Sequence, residues 1–313
     1  MKAACLEVNS HLSVTLSPLL KVGPGHPPAL VGEVGINANG QVEAAKNLIR
    51  LLHDAGWDAV KFQKRAVGHP QGFYSQEFLR QPRESPWGHT QRDQKEGLEF
   101  DRDEYLDIAQ YCKELRMTWY ASPWDVPSVQ FLEDLNVTCY KVSSFTATAE
   151  KNVVSAIGET GKPVVLSTAF QTYGQIARLI RETGVNMGKL VLLHCIGRYP
   201  CPEDRTNFGK MRLLQKYQHI PVGYSGHEED IHPTLFALGM GACMIERHVT
   251  LDRTMYGSDQ AASLEPDKFE VIRKWREVAY EAHSSVASSV PDEEEMIVYR
   301  KLLDQSNLRE KIT

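Results

Sequence analysis

His227 and His248 are the residues with the most evident chemistry. His227 ends Gly223-Tyr224-Ser225-Gly226-His227, and His248 ends Ile245-Glu246-Arg247-His248. Each closes a short apolar run, Pro221 to Tyr224 and Cys243 to Ile245, that reads as a β-strand. Two imidazoles at the ends of successive buried strands can share one divalent cation. In a barrel of parallel strands, the strand C-termini are where chemistry happens. A single histidine at such a place is more often a structural hydrogen bonder. The pair makes a metal-assisted reaction the first candidate.

Other polar residues fall at similar places. They are Glu33 and Asn37, Lys61 and Gln63, Ser122-Pro123-Trp124-Asp125, Lys141 with Ser143 and Ser144, Ser167-Thr168, Arg198-Tyr199, and Ser225. A lysine on a buried strand needs a reason, because an unpaired ammonium in a core is costly. Two converging lysines with several serine hydroxyls make a pocket for a phosphate dianion. Each residue also has a plainer reading. Either lysine can snorkel to solvent. Lys141 could instead be a Schiff-base lysine. Strand-end Ser and Thr are often helix N-caps.

The elements that must position these residues alternate. Strand-like runs lie at about 30–36, 59–63, 118–122, 139–143, 163–167, 189–195, 221–225 and 243–248. Helical patterns lie at Gln41–Ala55, Arg102–Leu115, Pro127–Leu135, Tyr173–Thr183, Phe208–Tyr217, His232–Gly239 and Pro266–His283. Eight strands with intervening helices predict an α/β fold, a (β/α)8 TIM barrel over 29–283. An open sheet with an extra edge strand is the alternative from periodicity alone. Residues 1–28 read as an N-terminal extension and 284–313 as a charged tail with a helical stretch, Asp292 to Leu303. Residues 65–100 read as a long polar insertion after the second strand, and loops of that length are usually functional or mobile.

The chain has 313 residues, 42% apolar and 24% charged, with a net charge of −5. That suits a single barrel with a large core and gives no global attraction to nucleic acid or anionic membranes. The six cysteines have no CxxC spacing and read as buried apolar residues of a reducing compartment, although Cys195 and Cys201 flank Tyr199. Met1 to Leu20 lacks the pattern of a signal peptide. No apolar run reaches the ~18 residues of a membrane span. The cytoplasm is the expected location.

Several segments together carry a family resemblance: GEVGINANG (32–40), DAVKFQK (58–64), YKVSSF (140–145), KPVVLST (162–168), LLHCIGRYP (192–200), VGYSGHE (222–228), IERHVTLDR (245–253) and GSDQAASLEP (257–266). The chain resembles the N-acetylneuraminate (sialic acid) synthase family, which also includes legionaminic and pseudaminic acid synthases, from about Leu30 to Pro266. Residues 85–100 look most like the animal and related branches. The resemblance implies a TIM-barrel transferase that joins phosphoenolpyruvate to an open-chain aminosugar aldehyde, releasing phosphate and leaving a 2-keto sugar acid. It implies that His227 and His248 bind the metal, with Mn²⁺ expected and Mg²⁺ or Co²⁺ as alternatives. It places Lys61, Lys141, Ser144, Ser167 and Ser225 around phosphoenolpyruvate. Lys141, Glu33 and Tyr199 are the implied catalytic residues. Gln63, Ser122, Trp124 and Asp259 would contact the acceptor sugar. It also implies a homodimer.

Three departures qualify the resemblance. The family's usual carboxylate two residues after Ser144 is Thr146 here, a poor general base. Glu33 or Glu228 would then take over acid–base work. The usual Asn or Ser is Gly197, so Arg198 becomes a candidate replacement contact. The family's C-terminal antifreeze-like domain would begin about where this sequence ends, at Thr313. An acceptor different from the family's is expected. The competing readings are a catalytically impaired homologue that binds phosphoenolpyruvate or a sugar acid as a regulator or scaffold, and a Schiff-base aldolase acting through Lys141.

Overall fold

The computed structural model describes residues 13–217, 220–284 and 290–305. Eight parallel strands form a closed barrel: β1 (Ala29–Glu33), β2 (Ala59–Lys64), β3 (Thr118–Pro123), β4 (Tyr140–Val142), β5 (Val164–Ser167), β6 (Leu190–Cys195), β7 (Val222–Gly226) and β8 (Met244–His248). Closure runs through β8 and β1, from Met244 against Ala29 to His248 against Glu33. This removes the open-sheet alternative. The fold is the expected (β/α)8 barrel.

Eight helices face the strands: α1 (Val42–Asp54), α2 (Arg102–Glu114), α3 (Val126–Asp134), α4 (Lys151–Glu159), α5 (Tyr173–Thr183), α6 (Phe208–Tyr217), α7 (His232–Gly239) and α8 (Phe269–Ser284). Their ends follow local chemistry. In α1, Ala45, Leu48, Ile49 and Leu52 form one buried stripe at helical spacing. Asp101 caps α2 in a reciprocal box with Glu104. Asp125 caps α3, whose second residue is Pro127. Gly184 ends α5 with a left-handed φ of 71°. The expected helix at Pro266–His283 begins later, because Pro266–Lys268 is a 3₁₀ turn before Phe269. Helix α4 was not expected; its buried face is only Val153, Val154 and Ile157. The first expected strand stops at Glu33, where Val34–Asn39 turns.

Two departures are larger. Residues 13–28 are not a mere leader. Val14–Ser17 and Leu20–Val22 pair as an antiparallel hairpin. Its inner residues Val14, Leu16, Leu20 and Val22 pack on Ala29, Val31, Ala59, Tyr120, Val165, Val191, Leu193 and Met244, which fill the barrel interior. Ser17 Oγ lies 2.7 Å from Thr118 Oγ1 at the start of β3. The hairpin therefore closes the N-terminal end of the barrel. The 65–100 insertion is structured as well. It carries a short helix (Gln76–Leu79), a hairpin (Pro82–Ser85 with Gly88–Thr90) and a helix (Gln91–Leu98) capped by Thr90 and Asp93.

The chain divides into two compact units, 1–280 and 281–313. Within the second, Asp292 accepts the Glu295 N–H and starts a helix, Glu293–Asp304. No helix among the described residues is long and apolar enough to cross a membrane.

Candidate active site

Side chains alternate across a strand with period 2. That periodicity gives each barrel strand an inward row, apolar at its start and polar at its end. On β1 the row is Ala29, Val31, Glu33; on β2 it is Ala59, Lys61, Gln63. On β8 it is Met244, Glu246, His248. The first residues belong to the apolar plug with the hairpin, and the last ones line one cavity of about 380 Å³. Ser122, Lys141, Ser143, Ser167, Cys195, Ser225 and His227 complete its floor and walls from the other five strands.

The floor is a compensated charge cluster. Lys61 Nζ sits 2.5 Å from Glu33 Oε2 and 3.9 Å from Glu246 Oε1. Lys141 Nζ donates to Ser167 Oγ at 2.6 Å and lies 3.7 Å from the same Glu246 oxygen. Ser225 Oγ donates to Glu246 Oε1 at 3.1 Å, Lys61 Nζ to Ser122 Oγ at 3.3 Å, and Gln63 Nε2 to Glu33 Oε1 at 2.7 Å. Burial pulls the Lys141 ammonium below the usual lysine range, and Lys61 adds to this while Glu246 resists it. For Glu246, burial pushes upward, but Lys141 and Lys61 outweigh it and the carboxyl titrates below its ordinary range. Both lysines are buried, so neither snorkels to solvent.

The histidines stand beside this cluster. Their rings lie 5.4 Å apart, and the Tyr199 ring lies 4.0 Å from that of His227 and 5.7 Å from that of His248. His227 Nδ1 is 2.9 Å from the Ile196 carbonyl. The carbonyl can only accept, so Nδ1 carries the proton and the lone pair is on Nε2. Burial and the neighbouring His248 hold His227 well below its ordinary range, so it is a neutral imidazole at neutral pH. His248 Nδ1 is buried without a hydrogen-bond partner, and the Asp259 carboxylate is 3.6 Å away. The lone pair on His227 Nε2, beside a second buried imidazole whose Nδ1 has no partner, could hold a divalent cation. Among the described residues no group of three or more His, Cys, Asp and Glu side chains is arranged to hold one. Two imidazoles would leave open the coordination positions that a catalytic metal needs.

Most of the expected site residues meet in this cavity: Glu33, Lys61, Gln63, Ser122, Trp124, Lys141, Ser144, Ser167, Tyr199, Ser225, His227, His248 and Asp259. Ser144 Oγ accepts the Ala169 N–H and lies 3.1 Å from Cys195 Sγ. Two expected residues lie elsewhere. Arg198 is exposed and does not line the cavity. Glu228 is buried outside it, bonded to Tyr224 and facing Arg247, so it is not placed for acid–base work there. Thr146 also lies outside, with its backbone N–H on Ser143 Oγ as part of a helix start, Ser144–Ala149. Sequence reasoning placed Glu246 with His248 at the end of the last strand but gave it no role, and the structure makes it the hub. Sequence reasoning also missed Lys95 and Glu99 of the insertion, and Phe145 and Phe170 after β4 and β5, all of which line the cavity.

A closed parallel barrel with buried lysines, a carboxylate hub and two histidines at its strand C-termini is the arrangement of a barrel enzyme. The model of the NeuB family matches residues 48–286, and the chain belongs to that family. It is 34% identical to N-acetylneuraminate-9-phosphate synthase of Homo sapiens over 292 residues, covering 90% of this chain and 79% of that protein. It is 30% identical to N,N'-diacetyllegionaminic acid synthase of Campylobacter jejuni over 246 residues, covering 78% of this chain and 73% of that protein. Among solved structures, the N-acetylneuraminic acid synthetase of Leptospira borgpetersenii in complex with citrate superposes with a TM-score of 0.78 at 25% identity, covering 95% of this chain and all of that one. The chain is thus a sialic-acid-synthase-like enzyme, a transferase.

Proposed function

We propose that this enzyme condenses phosphoenolpyruvate with a sugar-type aldehyde to a 2-keto-3-deoxy sugar acid and releases phosphate. The observation that carries this reading is the pair of buried lysines, Lys61 and Lys141, flanked by Ser122, Ser167 and Ser225. Buried ammonium groups beside hydroxyl donors suit a multiply charged anion, because charge-assisted hydrogen bonds strengthen away from water. Carbon 3 of phosphoenolpyruvate attacks the aldehyde carbon, water adds at carbon 2, and the tetrahedral intermediate expels phosphate. Lys61 and Lys141 balance the charge on the departing phosphate. Glu33, paired with Lys61 and Gln63, is placed to hold or pass a proton, and Glu246 keeps both ammonium groups oriented. Tyr199 covers His227 and shields the reacting aldehyde from bulk water.

His227 and His248 would hold a divalent cation, Mn²⁺ in the first instance with Mg²⁺ or Co²⁺ as alternatives. When bound, it would act as a Lewis acid on the aldehyde. The test is phosphate release from phosphoenolpyruvate with a panel of aldoses and N-acylmannosamines, with Mn²⁺ and after EDTA. Metal-dependent release with one acceptor is the expected result. Tight phosphoenolpyruvate binding without release from any acceptor would instead favour an impaired, binding-only homologue. A covalent adduct trapped by borohydride would favour an imine on Lys141.

A further inference from the structure

The residues lining the cavity above the lysines are of two kinds. The polar ones are Gln63 at the end of β2, Arg65 just after it with its guanidinium 4.3 Å over the Trp124 ring, Lys95 from the insertion, and Asp259 after β8. The aromatic ones are Trp124 after β3, Phe145 after β4 and Phe170 after β5. Trp124 and Phe145 stack with centroids 5.8 Å apart and planes 20° from parallel. Phe145 is 43% exposed and Phe170 62% exposed. Single exposed apolar residues are ordinary, but exposed rings that share one cavity lining with an indole mark a candidate contact surface for a ligand.

Phe170 carries a second signal. Its φ is +63°, a region that bulky side chains rarely adopt and that costs energy. In an exposed loop, glycine would adopt it freely. The ring also occupies a prepared seat, since a Cβ at Gly197 would collide with it. The glycine that replaces the family's usual Asn or Ser and the strained phenylalanine are therefore two halves of one contact.

We propose that these aromatic residues determine acceptor specificity, and that Phe170, seated on Gly197, receives an apolar substituent larger than a methyl group on the acceptor aldehyde. The proposal rests on the phosphoenolpyruvate reading, because an anion held deep by the lysines leaves the mouth to the second substrate. A fully hydroxylated acceptor would press unpaired hydroxyls against three rings, which is unfavourable. An acyl chain or aryl ring on an amino sugar matches both kinds of group, with its apolar end on Phe170 and its hydroxyls towards Arg65 and Lys95.

The test uses N-acetyl-, N-butanoyl- and N-benzoylmannosamine for phosphate release, and the corresponding alditols, which lack the aldehyde, for calorimetric binding in the presence of phosphoenolpyruvate. In the wild type, alditol Kd should fall about fourfold per added methylene, more than tenfold from acetyl to butanoyl. Phe170→Ala should flatten that gradient while phosphoenolpyruvate Kd stays within twofold, which also reports correct folding, and Gly197→Ser, which displaces the ring, should flatten it too. A flat wild-type series, or a gradient that survives Phe170→Ala, overturns the proposal. A gradient without phosphate release from any acceptor keeps it and overturns the condensation reading. Release without a gradient overturns the specificity proposal alone.

Discussion

The two ends of the same eight strands are built from opposite materials. At the N-terminal end, Ala29, Val31, Ala59, Val165, Val191 and Leu193 meet Val14, Leu16, Leu20 and Val22 of the hairpin and exclude water. At the C-terminal end, one or two residues further along each inward row, sit Glu33, Lys61, Lys141 and Glu246. The first end gains stability from area removed from water, at roughly 1.5–3 kcal/mol per fully buried aliphatic side chain. The second gains little net stability, because desolvating charges offsets their attraction. Its two lysines and two glutamates balance one another's charge. The difference teaches that a barrel can confine the cost of a preorganised polar site to the last residues of its strands, provided the other end is sealed well enough to support it.

If that division is right, substitutions at the two ends separate cleanly. The largest effect is expected for Lys141→Met, which removes an ammonium from the floor. We expect kcat/KM for phosphoenolpyruvate to fall by about 10³ or more, equivalent to roughly 4 kcal/mol of transition-state stabilisation, with the thermal midpoint within a few degrees of the wild type. Steady-state phosphate release and calorimetry check both numbers. A variant that fails to fold would show that the floor is structural. At the other end, Leu16→Ala should lower unfolding free energy by about 3 kcal/mol, through lost transfer energy and a residual cavity. Phosphoenolpyruvate affinity should not change. Urea midpoints and ligand titration on one preparation would reveal any leakage between the two ends.

A third substitution asks whether the layer between strands and helices behaves like either end. His194 is buried there, with Nε2 donating to the Thr206 carbonyl and its ring near Phe208 and Tyr224. Burial pushes its pKa down to about 4. The unfolded imidazole takes a proton near 6.5, so the stabilising contribution is complete above pH 6.5 and is lost as pH falls towards 4. Between pH 8 and 5 the wild type should lose about 2 kcal/mol from this group. His194→Asn should lose that much less over the same interval, whatever its stability at pH 8. Equal pH slopes would remove the assignment.

The strand ends were readable in sequence because period-2 burial puts Lys61 and Gln63, or Ser225 and His227, on one face, and a buried lysine is costly enough to need explaining. The hairpin was not, because its two strands of four and three residues acquire meaning only from contacts with residues far along the chain. The insertion looked like a loop because its polar composition hides Thr90 and Asp93, a capping pair visible only once helix Gln91–Leu98 is assigned. Arg198 and Glu228 were misplaced for a common reason. Beyond a strand end the alternation of faces stops, and spacing no longer says which way a side chain points. Phe170 was invisible as a site residue because strain is a property of φ, not of residue type.

The smallest effect is the most discriminating, because it probes the hub that joins the four charges. Glu246 Oε1 is 3.7 Å from Lys141 and 3.9 Å from Lys61. Lys141 titrates below the usual lysine range because burial disfavours its charge, and Glu246 is the largest influence holding it up. Activity that needs a charged Lys141 must fall as pH rises through that lowered value, so kcat/KM should have an alkaline limb below the usual 10.4 of a free lysine. Glu246→Gln removes the supporting charge and keeps the shape. The limb should move to lower pH. Lys141→Arg, whose guanidinium stays charged, should lose the limb together with much of its rate. A limb that stays in place in Glu246→Gln would mean that Lys141 is not the group being titrated. The floor would then be held by Lys61 and Glu33, and Glu246 would serve Ser225 and the histidine side instead.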